Sequence, residues 1–175
     1  MAMNSTEPSF EQAMEITTRL LKLWEEGELS DEVLADQVGE LVNSRDGARG
    51  FFVISLAGDC PLMDRLPEPL VMQLRAAGDG VVDLSVRNLA MSSAMALHHQ
   101  RQADSEHQEG SERVAARCRE LLRLLEPELV KQRLEQLLAA STGNSGEDVE
   151  FLNRWGYDEE QKQAITASIE AIAEV

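Results

Sequence analysis

Apolar residues recur at steps of three and four over most of the chain, the spacing that places them on one face of an α-helix. The first periodic segment, residues 7–27, has a proline near its start and ends at Gly27, as helices commonly do. The second follows Ser30, whose side chain suits a helix N-cap, and its first turn carries two acidic residues that suit the helix dipole. The pattern predicts two amphipathic helices before residue 45.

The stretch 45–58 is ambiguous, because its apolar residues fit a buried strand as well as a buried helix. No other segment predicts a convincing partner strand, and a lone strand leaves its backbone groups without hydrogen bonds. We therefore predict a helix that ends near Gly58.

After residue 60, a proline-rich loop leads to a short helix and then to a long helix over about 80–102. Apolar residues occupy two opposite sides of this long helix, which is typical of a central buried helix. A polar connection closed by Gly110 follows, and we expect Ser111 to cap the next helix. Two further amphipathic segments meet at Pro127.

Together these segments predict an all-α fold: a compact multi-helix domain of eight or nine helices around the long helix. We expect one domain, 1–175, because a chain of this length usually forms one core. Residues 1–6 are expected to be disordered, and residues 141–147 to form a flexible break before a C-terminal helical hairpin. With 4% aromatic residues, the core must consist mainly of Leu, Val, Ala and Met.

The formal net charge of −16 limits the choice of partner. A field this negative repels phosphate backbones, so we expect no nucleic-acid partner, whereas a basic protein surface would be attracted. Two cysteines without a paired spacing are typical of a reducing compartment. The first residues lack a signal-peptide pattern, and the longest apolar run, FFVISLA, is too short to span a bilayer. We therefore expect a cytoplasmic protein without membrane insertion.

A line of polar residues on the long helix is the first candidate site. Asn88, Ser92 and His99 are spaced so that an amide, a hydroxyl and an imidazole could face the same buried side. They could form a small ligand pocket, with His99 as acid, base or ligand, or a hydrogen-bond network that only stabilises the helix. His98 and His107 lack the spacing of helical metal ligands, and we predict no metal, no cofactor and no catalytic residue.

The cysteines are poor candidates for a nucleophile. Cys60 could be exposed in a loop, but the neighbouring Asp59 and Asp64 would raise the pKa of its thiol. Cys118 lies on an apolar seam, where we expect an inert core thiol.

The densest positive cluster is the second candidate site, at which an acidic partner or an anionic ligand could dock. It consists of Arg113, Arg117, Arg119 and Arg123. The same residues could instead form a solvated face, with Glu120 at helical spacing from Arg117 and Arg123.

A turn near the C-terminus is the third candidate site. The stretch FLNRWGYDEEQKQAI resembles the helix–loop–helix signature of ubiquitin-associated domains, with Trp155, Gly156 and Tyr157 in the loop. That resemblance implies a protein-binding loop. Alternatively, the same residues form a helix that ends at Gly156, with Trp155 packed on the body of the protein and no partner bound.

A wider resemblance covers most of the chain. The stretches SRDGARGFFVISLAGDCPL, RNLAMSSAMALHHQR, GSERVAARC and FLNRWGYD resemble a family of uncharacterised small helical proteins of cyanobacteria. The resemblance implies a cytoplasmic bacterial setting, where ubiquitin is irrelevant, and it implies no activity and no catalytic residues.

Two hypotheses of function follow. The first is a non-enzymatic protein that mediates protein–protein interaction, in an adaptor, assembly or regulatory role, through the arginine cluster and the WGY turn. The second is a small-molecule-binding or catalytic helical bundle with a pocket beside Asn88, Ser92 and His99. The amphipathic region 111–138 would also allow a homo-oligomer.

Overall fold

The structure is a computed structural model that describes residues 7–173. Every regular element in this range is helical, which confirms the all-α prediction and the expected number of helices. The α-helices are α1 (Phe10–Glu25), α2 (Asp31–Leu41), α3 (Arg45–Ala57), α4 (Glu68–Ala76), α5 (Asp79–Arg101), α6 (Ser105–Leu124), α7 (Pro127–Gly143), α8 (Asp148–Arg154) and α9 (Glu159–Ala173). A 3-10 helix at Pro61–Asp64 precedes α4. The expected disorder of residues 1–6 lies outside the described residues.

The helices form two compact units. Unit 1 ends at Leu84 and unit 2 begins at Ser85, so that α5 contributes residues to both. Unit 1 contains α1 to α4, and unit 2 contains α6 to α9. The bounds of α5 match those expected for the long helix, and its residues Val86, Leu89 and Ala90 are fully buried.

In unit 1, α1 packs against α3, and α2 packs against α4. The segment that suited a strand as well as a helix is α3, and the hydroxyl of Ser44 caps it by accepting from the backbone N–H of Gly47. Gly50 on α3 allows α1 to approach closely, because a Cβ at this position would lie 2.5 Å from the Cβ of Ala13. The prediction of a helix over this stretch is therefore confirmed.

The turn between α1 and α2 is held by side-chain hydrogen bonds. The N-cap prediction at Ser30 is confirmed, because its hydroxyl accepts from the backbone N–H of Val33 at 3.2 Å. The carboxylate of Asp31 accepts from the indole N–H of Trp24 at 2.8 Å, which joins the start of α2 to the end of α1.

In unit 2, α9 packs against α6 and α7, and α7 also packs against α8. A buried ion pair joins α7 to α8: two N–H groups of Arg133 donate to the carboxylate of Asp148. α9 begins with a reciprocal cap, in which Asp158 accepts from the backbone N–H of Gln161 and the side chain of Gln161 accepts from that of Asp158.

The start of α6 differs from the prediction. The helix begins at Ser105 rather than after Ser111, and Asp104 caps it by accepting from the backbone N–H of His107 at 3.2 Å. Residues 105–110 are exposed or half-buried, so their turns carry none of the apolar periodicity from which the sequence predicts helices. The expected polar connection is therefore mostly helical.

The start of the expected break also differs. α7 continues to Gly143, and Asn144, with a φ of 51°, adopts the left-handed conformation that ends the helix. The hydroxyl of Ser141, within α7, lies 2.9 Å from that of Thr166 on α9. The connection between α7 and α8 therefore consists of residues 144–147.

Candidate functional site

The candidate polar residues on α5 are spread along the helix, with Ser92 and His99 well separated. Ser92 is buried, and its hydroxyl donates to the backbone carbonyl of Asn88 at 2.7 Å and approaches that of Leu89 at 3.2 Å. His99 follows seven residues later, about 10 Å further along a helix that rises 1.5 Å per residue. The hydroxyl of Ser92 is engaged within its own helix, and a ligand pocket shared with His99 stays a prediction.

The three histidines lie together where α5 leads into α6. The ring centroid of His99 is 5.3 Å from those of both His98 and His107. His107 also hydrogen-bonds Asp104 through its backbone N–H and its ring, and these bonds lower the pKa of the Asp104 carboxyl. Within residues 7–173, no group of three or more potential ligand side chains is arranged to hold a metal ion.

The arginine cluster does not form one exposed face. Arg113 and Arg123 are exposed and Arg119 is half-buried, but Arg117 is 2% exposed and belongs to the core. Arg123 donates to Glu120 at 2.9 Å and to the backbone carbonyl of Ala171 at 3.0 Å. The prediction that Arg117 contributes to a docking surface is wrong.

The position of Arg117 in the helix explains its burial. It lies three residues after Val114 and four before Leu121, the steps that place side chains on one face of a helix. Leu121 is fully buried, and Cys118 lies beside it on the same seam. The spacing of Arg117 relative to these apolar residues therefore indicated a buried position, but its charge favoured an exposed one.

The WGY turn presents one of its two aromatic residues to solvent. Trp155 is 54% exposed, whereas Tyr157 is 8% exposed. Burial raises the pKa of the Tyr157 hydroxyl to about 12. Gly156 between them has a φ of 67°, a conformation that suits glycine. Of the two predicted contact residues, Trp155 is the accessible one.

Both cysteines are buried. Cys60 is 8% exposed, so the expected exposed loop position is not observed. Burial raises the pKa of the Cys118 thiol to about 12, which keeps it protonated at neutral pH, as expected of an inert core thiol.

An apolar groove of about 490 Å³ lies among α6, α7 and α9 of unit 2. The apolar residues that line it are Leu122, Leu125, Pro127, Val130, Leu134, Leu138, Ile169 and Ile172. Three exposed charged residues, Arg123, Lys131 and Glu135, also line it. A mainly apolar groove with a few charged groups is the usual character of a binding site in a helical protein.

The charged residues of the apolar groove differ in what they contact. Arg123 is bonded to Glu120 and to a backbone carbonyl. Lys131 and Glu135 stand one turn apart on α7, and neither has a hydrogen bond or ion pair with the part of the chain that the structure describes. The groove therefore offers one cation and one anion to a ligand.

The sequence analysis missed the apolar groove. Its aliphatic residues follow helical spacing, and the pattern assigned them to the core together with their neighbours. Whether three apolar helix faces close completely over one another depends on how the helices pack, which no local pattern contains.

Comparison with known proteins identifies a family. Residues 9–172 match the model of a family described as Uncharacterised conserved protein UCP020893. No curated protein and no solved structure matches the chain. Of the helices in the described range, none is both long and apolar enough to cross a membrane.

Proposed function

The chain belongs to the family described as Uncharacterised conserved protein UCP020893, and from this premise we propose that it is a non-enzymatic protein that mediates protein–protein interaction. The family agrees with the resemblance to an uncharacterised family, and its description assigns no activity. The proposal therefore depends on the geometry of unit 2. We propose that the apolar groove is the contact surface.

The observation that carries the proposal is the apolar lining of the groove. Eight apolar residues, from α6 and its C-cap Leu125, α7 and α9, line one open space on a chain with a formal net charge of −16. Apolar surface of this kind gains free energy when a partner covers it, at about 25 cal/mol per Å² of apolar area. Grooves between helices commonly accept the apolar face of a partner helix.

We propose an amphipathic helix of another protein as the occupant of the groove. Lys131 offers its ammonium group and Glu135 its carboxylate, one helical turn apart. A partner helix with apolar residues facing the groove, a carboxylate near Lys131 and a basic group near Glu135 would complement both charges. The acidic remainder of the chain would repel a strongly acidic partner and thus favour one with few other acids.

The chemistry of the buried groups supports a non-enzymatic role. The Cys118 thiol has a raised pKa, and the hydroxyl of Ser92 is bonded within its own helix. Neither group has the activated state that nucleophilic catalysis requires. The proposal also places the protein in the cytoplasm of a cyanobacterium. The two cysteines without a paired spacing support the cytoplasm, and the family resemblance supports the organism.

The test compares two substitutions of matched chemistry. Leu138→Glu places a charge in the apolar groove, whereas Met72→Glu places one on an exposed position of unit 1. Each protein is captured from the source lysate, and a photo-crosslinking amino acid at position 138 identifies what touches the groove. We expect a protein whose crosslinked segment is an amphipathic helix, with affinity at least about tenfold lower for Leu138→Glu than for Met72→Glu.

The outcomes separate the alternatives. A partner bound equally by the Leu138→Glu and Met72→Glu variants would contradict the assignment of the groove, as would crosslinks that do not fall on a helix. Crosslinks to a second copy of this chain would identify a homo-oligomer and overturn the proposal of a different partner.

A further inference from the structure

A second cavity of unit 2, of about 330 Å³, lies among α5, α6 and α9. We call it the polar cavity. Its lining residues are Ser93, Ala96, Glu112, Ala115, Arg119, Ala164 and Ser168. The three alanines come from three different helices, and their short side chains leave open the space that longer residues would fill.

Two serine hydroxyls on the lining share one hydrogen bond, in which the hydrogen of the accepting hydroxyl is not used. The Oγ atoms of Ser93 and Ser168 are 2.7 Å apart, so one hydroxyl donates to the other. The remaining hydroxyl hydrogen has no acceptor among residues 7–173. A helical serine usually donates to the carbonyl four residues back, but for Ser93 that is Leu89, whose carbonyl already interacts with the hydroxyl of Ser92.

A similar pair elsewhere in unit 2 shows how such a contact is normally completed. Ser141 and Thr166 bring their hydroxyls to 2.9 Å, and Ser141 also lies 3.3 Å from the backbone carbonyl of Leu138, to which it can donate. In that pair both hydroxyl hydrogens have an acceptor within the protein, because Thr166 can donate to Ser141 while Ser141 donates to the carbonyl of Leu138. The pair in the polar cavity lacks this second acceptor.

The guanidinium of Arg119 stands on the same lining. It is half-buried, and it forms no hydrogen bond or ion pair within the described part of the chain. Arg101 and Arg123, by contrast, each donate two hydrogen bonds or more. Glu112, the acidic residue of the cavity, accepts from the side chain of Gln108 at 3.2 Å. Five N–H donors of Arg119 are thus available to a ligand.

We propose that the polar cavity binds a small molecule through an oxyanion, either a carboxylate or a phosphate. Arg119 donates two parallel hydrogen bonds to the oxyanion, a geometry that suits both groups. The left-over hydroxyl hydrogen of the Ser93 and Ser168 pair supplies a further donor, and the alanines contact the apolar part of the ligand. A volume of about 330 Å³ falls at the lower end of the range for ligand pockets, which favours a small ligand.

The experiment titrates the full chain with four probes: L-lactate, L-serine, inorganic phosphate and O-phospho-L-serine, each to about 10 mM, which covers weak binding. Chemical shifts of the backbone amides report the site, and the melting temperature reports stability. We expect at least one probe to bind with shifts centred on residues 93, 119 and 168. L-lactate and L-serine test a carboxylate alone, and inorganic phosphate tests a phosphate alone. O-phospho-L-serine carries both groups, so its affinity relative to that of L-serine shows what the phosphate adds.

Two substitutions on one helix provide the control. Arg119→Gln removes the charge inside the polar cavity, and Arg113→Gln removes the same charge from an exposed position of α6. We expect Arg119→Gln to weaken binding by about tenfold or more and Arg113→Gln by less than about twofold. Because Arg119 has no acceptor in the described protein, Arg119→Gln should leave the melting temperature of the ligand-free protein unchanged, whereas a structural arginine would lower it.

Three results would overturn the proposal. They are the absence of binding by all four probes, equal binding by wild type and the Arg119→Gln variant, and shifts centred away from the cavity. None of them affects the apolar groove, whose lining shares no residue with that of the polar cavity.

Discussion

Unit 1 and unit 2 hold their helices together in different ways. In unit 1, α1 and α3 meet through Gly50 and Ala13 at a distance that excludes a further methyl group. In unit 2, polar side chains join the helices: Arg133 to Asp148 between α7 and α8, and Ser93 to Ser168 between α5 and α9. The α1–α3 contact of unit 1 should therefore respond most to changes of side-chain volume, and these two contacts of unit 2 to the loss of a single polar group.

The largest effect is expected from Asp148→Ala in unit 2. It removes the carboxylate from the largely buried ion pair between Arg133 and Asp148, which costs about 3–5 kcal/mol of unfolding free energy. Denaturant unfolding measures this loss of free energy, and hydrogen exchange shows whether it occurs in unit 2. The double substitution Arg133→Met with Asp148→Leu removes both charges and should restore most of the stability. If Asp148→Ala cost less than about 1 kcal/mol, the polar account of unit 2 would be wrong.

The next effect is expected from Gly50→Ala in unit 1. Its Cβ would lie 2.5 Å from the Cβ of Ala13 and 3.0 Å from backbone atoms of α1, so the helices must separate at a cost of about 1–3 kcal/mol. Gly110→Ala on α6 is the matched control, because a Cβ there meets nothing within 4 Å and should stabilise the helix by about 0.5–1 kcal/mol. Equal effects of the two changes on thermal unfolding would remove the contrast between the units.

The smallest effect concerns the acid sensitivity of unit 2. The hydrogen bond from Arg101, and then that from the backbone of Gln161, lower the pKa of the Asp158 carboxyl. A lowered folded pKa contributes stability that is present above the unfolded pKa of about 3.9 and is lost as pH falls through the folded value. Asp158→Asn should make stability less dependent on pH below about 4, as measured by unfolding at a series of pH values. If Asp158→Asn left the pH dependence of unfolding below about 4 unchanged, this assignment would be wrong.

The sequence predicted the helices where apolar spacing and capping residues coincide. Ser30 capped α2 as expected, and the ambiguous stretch became α3 because no partner strand exists for it in the described chain. The start of α6 was missed because its first turns carry no apolar stripe. Local patterns thus determine the helices of the core more reliably than those that face solvent.

The candidate sites were harder to predict, because each depends on tertiary contacts. Arg117 is buried although its charge suggested exposure, and Arg119, two residues later, lines a cavity built by three helices. The serine of α5 whose hydroxyl pairs with a second hydroxyl across the polar cavity is Ser93 rather than Ser92, one residue earlier. A shift of one residue turns a helical side chain by 100°, which sequence spacing alone does not resolve.

The chain carries two tryptophans, and each belongs to a different unit. The indole of Trp24 is half-buried and hydrogen-bonded to Asp31, whereas that of Trp155 is mostly in water. Intrinsic fluorescence therefore contains two separable signals, a shielded emitter in unit 1 and a solvated emitter in unit 2. Replacing either one by phenylalanine gives an optical reporter for the remaining unit, with no dye or label attached.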